Sequence, residues 1–421
     1  MSGPERLAAI YLRGVGGHRP RTPIEISELE DAAERSMSPQ AFAYVAAGAG
    51  NEATKRANTE SFDRWRIVPR MLRDVSRRDT SVELFGRRIA APLMLSPVGV
   101  LELAHRDADA AVARAAAAEG VPMIFSNQGS APMETCAEAM GDALRWFQLY
   151  WSTSDDLVES LVQRAEACGC EAIVVTLDTT MLGWRSRDLA VAYLPFLRGM
   201  GIAQYTSDPV FQRLIADPAE GGGSPAPRPN VAALGTLIQL VRHYPDRFWP
   251  ALRSGRARRA VERFVQIYSR PSLTWEDLPF LRERTKLPIV LKGILHPDDA
   301  RRAIDVGMDG ILVSNHGGRQ VDGAIATIEA LPAVVDAVDG RVPVLLDSGV
   351  RSGADIFKAL ALGATAACIG RPYVWGLAAG GESGVRDVLG NLVAEFDLTM
   401  GLAGCRSVAE IGPDSLVPTP A

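Results

Sequence analysis

The chain has 421 residues, 47% of them apolar and 23% charged, with 45 Lys plus Arg against 50 Asp plus Glu and a net charge of −5. That is the composition of a soluble globular protein long enough to bury a full core without metals or disulfides, and its acidic balance argues against nucleic acid or an anionic membrane as a partner. No apolar run reaches the roughly 18 residues of a membrane span, and the N-terminus lacks the apolar core of an export signal.

In chain order, residues 1–24 are rich in Gly, Pro and Arg and read as loose. Helical spacing runs from Ile26 to Met37, and Ser38-Pro39 then supplies an N-cap and a first-turn proline for a helix through Phe42, Tyr44 and Val45 that stops near Gly48. Residues 51–84 are polar and basic and read as a connecting segment. From residue 90 short apolar runs recur: Leu93–Ser96, Met123–Ser126, Trp146–Tyr150, Ala172–Asp178, Ile289–Lys292, Gly310–His316, Val342–Asp347 and Ala367–Gly370. Helical patterns alternate with them at Asp107–Glu119, Asp155–Ala167, Asp298–Val306, Ile325–Val338 and Gly353–Leu362, several closed by Gly. Apolar strands alternating with helices predict a parallel sheet covered by helices. Repeated eight times, they predict an α/β fold of the closed (β/α)8 (TIM) barrel type.

The expected organisation is an N-terminal helical and connecting segment (1–84), a barrel (85–410) and a C-terminal tail (411–421). Residues 193–275 interrupt the barrel rhythm between its fourth and fifth strands. This insertion contains the Gly- and Pro-rich run 221–229, which reads as flexible, and we expect it to act as a lid. Its basic run Arg253–Arg263 reads as a solvated helix face. Five cysteines, Cys136, Cys168, Cys170, Cys368 and Cys405, are too few and odd in number for a disulfide framework, so reduced thiols in a cytoplasmic protein are expected.

A barrel places its chemistry at the C-terminal ends of its strands. Those ends carry Ser96-Pro97-Val98-Gly99, Ser126-Asn127-Gln128, Gln148-Leu149-Tyr150, Thr176-Leu177-Asp178, Lys292-Gly293, Ser314 to Arg319, Asp347-Ser348-Gly349 and Gly370-Arg371. His316 suits a general base, and Asp178 in the same ring of strand ends would fix its tautomer. Arg185 and Arg319 suit a carboxylate-bearing substrate, since guanidinium grips carboxylate bidentately. The Gly-rich ends of strands seven and eight suit a phosphate, so a phosphorylated cofactor is implied. The residues alone leave FMN and pyridoxal phosphate open. No metal-ligand cluster is expected.

The run Ser314-Asn315-His316-Gly317-Gly318-Arg319-Gln320 resembles the signature of the FMN-dependent 2-hydroxy-acid oxidase and dehydrogenase family, and the resemblance extends from about Phe42 to about Glu410. It implies FMN as cofactor and His316 as active-site base with Asp178 as its carboxylate. Tyr150 would lie near the substrate hydroxyl, and Tyr44, Arg185 and Arg319 would hold the substrate carboxylate. It further implies flavin contacts at Pro97, Val98, Gly99, Ser126, Gln148, Thr176, Lys292 and Ser314. Ribityl and phosphate contacts would come from Asp347, Gly349, Arg351, Gly370 and Arg371. Within the family the chain is most similar to the lactate 2-monooxygenase branch, through Leu182-Gly183-Trp184-Arg185, Pro195-Phe196-Leu197-Arg198-Gly199, Asp208-Pro209-Val210-Phe211, Gly99 and the insertion. The implied reaction is oxidation of a small L-2-hydroxy acid by dioxygen. Lactate would yield acetate, carbon dioxide and water if keto acid and peroxide stay together, and keto acid plus peroxide if they part. A dehydrogenase serving a quinone or protein acceptor is the remaining alternative. A tetramer or octamer is implied as well. Gln128, Val98, Thr180 and Met181 depart from common family residues and bear on substrate identity.

Overall fold

A computed structural model describes residues 2–216 and 230–419. The Gly- and Pro-rich run 221–229 lies outside the described residues. Eight parallel strands close into a barrel: Leu93–Leu95, Met123–Phe125, Arg145–Leu149, Ile173–Thr176, Ile289–Lys292, Gly310–Val313, Val344–Asp347 and Ala366–Ile369. Each matches one apolar run of the sequence. The sheet closes where the eighth strand pairs with the first, Ala367 opposite Leu93 and Ile369 opposite Leu95.

Every strand but the third is buried along its whole length, because helices cover the outside while side chains fill the inside. Alternation sorts the two faces. Leu93, Leu95, Ile173 and Val175 join the large cluster under the helices, whereas Met94, Ile124, Trp146, Val174, Val290 and Leu345 form a separate inner core. A hairpin of Val82–Leu84 and Arg87–Ile89 closes the bottom, with Leu84 and Ile89 in that inner core and Phe85 against Trp146 at 5.5 Å between ring centroids.

Outside the barrel the structure adds helices that composition hides. Residues 1–24 are not uniformly loose: Gly3–Val15 is a helix. The Gly3 amide donates to Asp397 Oδ2 at 2.7 Å, and a Cβ on Gly3 would stand 2.5 Å from Leu398 Cγ, so this helix is pinned on the C-terminal helix Arg371–Leu402. That last helix bends at Gly381 (φ +61, ψ −143). The connecting segment also holds a helix, Ala53–Glu60, and the tail strand Leu416–Pro418 pairs antiparallel with Trp65–Ile67. Ser38 caps its helix as expected, accepting from the Ala41 amide at 3.2 Å.

The insertion is largely helical where described: Pro209–Ala216, Val231–His243, Phe248–Ser254 and Arg256–Ile267. The last of these explains the basic run. Ala257, Ala260, Val261, Phe264 and Ile267 are buried on one face, while Arg258 on the other pairs with Glu262. The five cysteines are unpaired thiols. Among the described residues no helix is long and apolar enough to cross a membrane.

Candidate active site

The top of the barrel follows from strand period. Two residues beyond each inward core residue, the same face must point into the mouth. Met94 is followed in this way by Ser96, Ile124 by Ser126, Trp146 by Gln148, Val174 by Thr176, Val290 by Lys292, Leu312 by Ser314 and Leu345 by Asp347. An apolar barrel therefore ends in a polar layer, and the layer is hydrogen-bonded to itself. Asp347 accepts from Ser96 Oγ at 2.6 Å and from Ser314 Oγ at 2.7 Å, and Lys292 Nζ donates to Ser314 Oγ at 2.9 Å. On the opposite side Gln148 Oε1 accepts from Ser126 Oγ at 3.2 Å, and Gln148 Nε2 donates to Thr176 Oγ1 at 3.0 Å.

Above this layer lies a cavity of about 300 Å³. Of the residues expected from the sequence, Tyr44, Pro97, Val98, Gly99, Ser126, Tyr150, Arg185, Lys292, His316, Arg319, Asp347, Gly349, Arg351, Gly370 and Arg371 line it. Asp178, Gln148 and Ser314 stand behind that wall as hydrogen-bond partners of those that do, and Thr176 stands behind Gln148 as its partner.

His316 and Asp178 meet as expected, Nδ1 to Oδ1 at 2.6 Å. A carboxylate accepts, so Nδ1 carries the proton and the Nε2 lone pair is free for the cavity. Thr179 was not singled out by the sequence. Its Oγ1 donates to Asp178 Oδ1 at 2.9 Å and lies 3.1 Å from His316 Nδ1. Its adjacency to Asp178 was the available signal. Lys292 Nζ sits 3.2 Å from Asp178 Oδ2 and 3.7 Å from Asp347 Oδ2. Burial alone would raise the Asp178 pKa, but Lys292 and then His316 outweigh it and hold the carboxyl well below its ordinary range. Burial lowers the His316 pKa despite Asp178, so the resting couple is a neutral imidazole beside an anion that Lys292 balances.

The backbone around His316 is unusual for an L-residue: φ is +57 at His316, +65 at Gly317 and +73 at Gly318. A Cβ on Gly317 would stand 2.8 Å from an Arg371 nitrogen, and one on Gly318 2.5 Å from the Lys55 amide nitrogen, so only glycine fits these two positions. The loop is held by a buried amide pair that the sequence did not reveal. Asn58 Nδ2 donates to Asn315 Oδ1 at 2.8 Å, and Asn315 Nδ2 donates to Asn58 Oδ1 at 2.7 Å. Asn58→Ala would take one partner from each end of the Asn315 amide, leaving it only Ile325 O and the Gly318 N–H. The expected loss is about 1–3 kcal/mol of stability, read by urea denaturation, with a parallel fall in turnover as His316 loses its register.

Arg319 donates to the carbonyl oxygens of Tyr44 at 2.7 Å and Ala47 at 2.9 Å, with its guanidinium 5.0 Å from the Tyr44 ring centroid. Arg185 is held by Gln320 Oε1 at 3.0 Å, and its nearest carboxylate, Asp188, is 4.0 Å away. Burial and then repulsion from Arg185 lower the Arg319 pKa to about 10, which still leaves it a cation at neutral pH. Arg371, lowered to about 9 by burial and then by Arg319, bonds the carbonyls of Val45, Ala47 and Gly317. Arg319, Arg351 and Arg371 take part in no ion pair among the described residues; the site's ion pairs use Arg185 and Lys292 instead.

Half-buried cations without counter-ions call for anions. Arg185 and Arg319 suit a substrate carboxylate. Arg351, Arg371, Gly349 (φ +95) and the N-terminus of the Arg371–Leu402 helix suit a phosphate. Lys292 and the polar layer suit the hydrogen-bonding edge of a flavin. The residues present therefore fit FMN.

The insertion supplies part of the wall of this cavity. Leu194, Phe196, Phe264, Val265 and Tyr268 line it, and Phe264 packs against Phe196 at 5.3 Å and Tyr205 at 4.8 Å between ring centroids. These side chains carry no mark in the sequence, because apolar residues in a helical stretch look like any core.

A family model described as FMN-dependent dehydrogenase matches residues 33–418. The chain is 42% identical to an L-lactate oxidase of Lysinibacillus sphaericus (strain C3-41), covering 94% of this chain and 93% of that protein. It is 39% identical to 2-hydroxyacid oxidase 1 of Homo sapiens, with 92% and 94% covered. Among solved structures, mandelate oxidase with (S)-4-hydroxymandelic acid matches with a TM-score of 0.77 at 38% identity, covering 94% of this chain and 99% of that one.

Proposed function

The chain belongs to the FMN-dependent dehydrogenase family and is an FMN-dependent 2-hydroxy-acid oxidoreductase; we propose that it is of the lactate 2-monooxygenase kind, oxidising a small L-2-hydroxy acid with dioxygen and keeping keto acid and peroxide together until they react. The oxidation reading is carried by one observation: the free Nε2 of His316 faces a cavity that also holds the guanidinium groups of Arg185 and Arg319. Retention is supported by the wall of Leu194, Phe196, Phe264 and Tyr268, which in this reading is a roof and makes residues 193–275 a lid.

In this mechanism Arg185 and Arg319 hold the substrate carboxylate and so orient its hydroxyl toward His316. His316 Nε2 takes the hydroxyl proton, and Asp178 stabilises the imidazolium through Nδ1. Tyr150, whose pKa burial and then Asp178 raise, stays protonated and donates a hydrogen bond to the substrate oxygen. FMN supplies the acceptor for the substrate's α-hydrogen and the electrons for dioxygen. Buried Lys292 keeps Asp178 ionised and would place its charge beside the flavin ring. Lactate plus dioxygen gives pyruvate plus peroxide. If retained, these become acetate, carbon dioxide and water.

The simple oxidase is the second reading, favoured by the names of the relatives. Product analysis with lactate decides: acetate with little peroxide supports retention, and stoichiometric pyruvate and peroxide overturn it. Slow reoxidation of the reduced protein by air would instead favour a quinone or protein acceptor.

Gln128 bears on substrate choice. It is 8% exposed, and its backbone is fixed by Ser126 Oγ and Val100, yet its side-chain amide has no hydrogen-bond partner among the described residues and lines the cavity. A Cβ on Gly99 would stand 2.9 Å from Gln128 Cβ, so Gly99 makes room for this residue. Gln128→Leu is expected to shift kcat/KM toward substrates with plain alkyl side chains, by about tenfold relative to those bearing a hydroxyl or amide, as measured on a substrate panel. The same reading includes a cytoplasmic homo-oligomer, tetramer or octamer. It is supported by Tyr11, Leu12 and Val15 exposed along the first helix and is checked by light scattering.

A further inference from the structure

One carboxylate fastens the insertion to the barrel. Glu102 lies in the turn Leu101–Leu103, just after the Pro97–Gly99 segment that lines the cavity. Its Oε1 accepts from the Gly201 amide at 2.9 Å, and its Oε2 lies 3.0 Å from His243 Nε2 at the end of the Val231–His243 helix. Both partners belong to the insertion. Gly201 has φ +68, and a Cβ there would stand 2.6 Å from Val100 Cγ2 and 3.1 Å from the Phe196 ring. Phe196 is part of the roof, so Glu102 grips the insertion one side-chain layer from the cavity.

His243 faces acceptors on both nitrogens: Gln239 O lies 2.7 Å from Nδ1, and the Glu102 carboxylate faces Nε2. Neutral imidazole carries one N–H and satisfies one of them, whereas imidazolium satisfies both. The Glu102 hydrogen bond, working against burial, raises the His243 pKa above its ordinary 6.5. The other charged groups around the pair are few. Arg198 faces it from the insertion, bound to Gln239 Oε1 at 2.8 Å and lying 5.0 Å from the Tyr193 ring centroid. Tyr193, its pKa raised by burial, has Glu102 in Coulombic reach. From the barrel side comes Asp109, pushed up to about 7 by burial. Arg242 is the neighbour on His243's own helix.

We propose that Glu102 and His243 are positioning residues for product retention: their charged contact holds the roof over the cavity, and loss of the His243 proton loosens it, so that keto acid and peroxide part before reacting. This rests on the monooxygenase reading. In the retained case a peroxide oxygen bonds to the keto carbon. The O–O bond and the bond to the carboxylate carbon then break, peroxide is reduced as the keto acid is oxidised, and carboxylic acid, carbon dioxide and water leave. In the released case keto acid and hydrogen peroxide leave intact. Because the folded pKa is raised, the contact is complete below the unfolded value of about 6.5 and is lost as pH rises through the folded value.

The test uses the holoenzyme with L-lactate under air and measures peroxide released per dioxygen consumed. In the wild type this fraction is expected to climb severalfold in one step centred above about pH 6.5. In His243→Gln it should be high throughout, and in His243→Lys, which stays cationic, low throughout. Amide hydrogen exchange at about pH 6, where His243 is charged, gives an independent reading; it is expected to be about tenfold faster over residues 195–206 in His243→Gln with the barrel strands unchanged. Equal exchange in wild type and His243→Gln overturns the latch whatever the products. Faster exchange with an unresponsive peroxide fraction overturns its role in retention. If the wild type makes no acetate at any pH, the monooxygenase reading and the retention role fall together, and exchange alone judges the latch.

Discussion

His316→Gln is expected to slow anaerobic flavin reduction by 2-hydroxy acid by about 10³-fold while the protein stays yellow, since a positioned general base contributes roughly 10²–10⁴-fold. Glutamine retains a hydrogen-bonding amide toward Asp178 but has no basic nitrogen for the cavity. The cations proposed for the phosphate, Arg351 and Arg371, are not altered by it. Stopped-flow reduction measures the rate, and an unchanged rate removes His316 from the role of base. The pH profile adds a sign. Burial lowers the His316 pKa and Asp178 raises it, with burial winning. The base is the neutral ring, so kcat/KM should rise with pH along a limb centred below the ordinary 6.5. Asp178→Asn removes the one neighbour that raises this pKa. The limb should then move to still lower pH while the maximal rate falls, because the imidazolium formed in the reaction loses its stabiliser. Loss of structure alone would lower the rate without moving the limb in that direction.

The barrel and most of its mouth were legible because one physical cause, burial on both faces, writes a continuous apolar run for each strand, and polar residues at the ends of such runs stand out. Ser314 and Asp347 are visible for that reason. Asn58 is not: its partner Asn315 lies 257 residues away, and two amides satisfying each other leave no periodic trace. The same holds for His243 and Glu102, far apart in sequence and joined only by folding. The Gly3–Val15 helix was hidden by the Gly, Pro and Arg that follow it, and its anchor is Asp397, 394 residues on. The roof is the intermediate case. The insertion's length suggested a cover, but Phe196 and Phe264 carry no mark that separates a cavity wall from ordinary core.

Lys292→Met should cost about 3–5 kcal/mol of stability, the usual consequence of removing one partner from a buried ion pair. Lys292 is 2% exposed, and its ammonium is the cation between Asp178 at 3.2 Å and Asp347 at 3.7 Å. Methionine fills similar volume, so the loss is one of charge rather than of packing. Two buried carboxylates would remain, and Asp347 would keep Ser96 and Ser314 as neutral donors. The pH dependence separates this cause from a generic defect. In the wild type the depressed pKa of Asp178 contributes stability that is present above the unfolded value of about 3.9 and is lost as pH falls through the folded value. Without Lys292 the largest of the influences that hold the Asp178 pKa down is gone and burial is less opposed, so the pKa rises and the anion is less stable in the variant at neutral pH, a cost that protonation relieves. The stability gap between wild type and variant should therefore narrow as pH falls, and denaturation at several pH values measures it. A gap that stays constant across that range would mean that Lys292 does not hold Asp178 ionised.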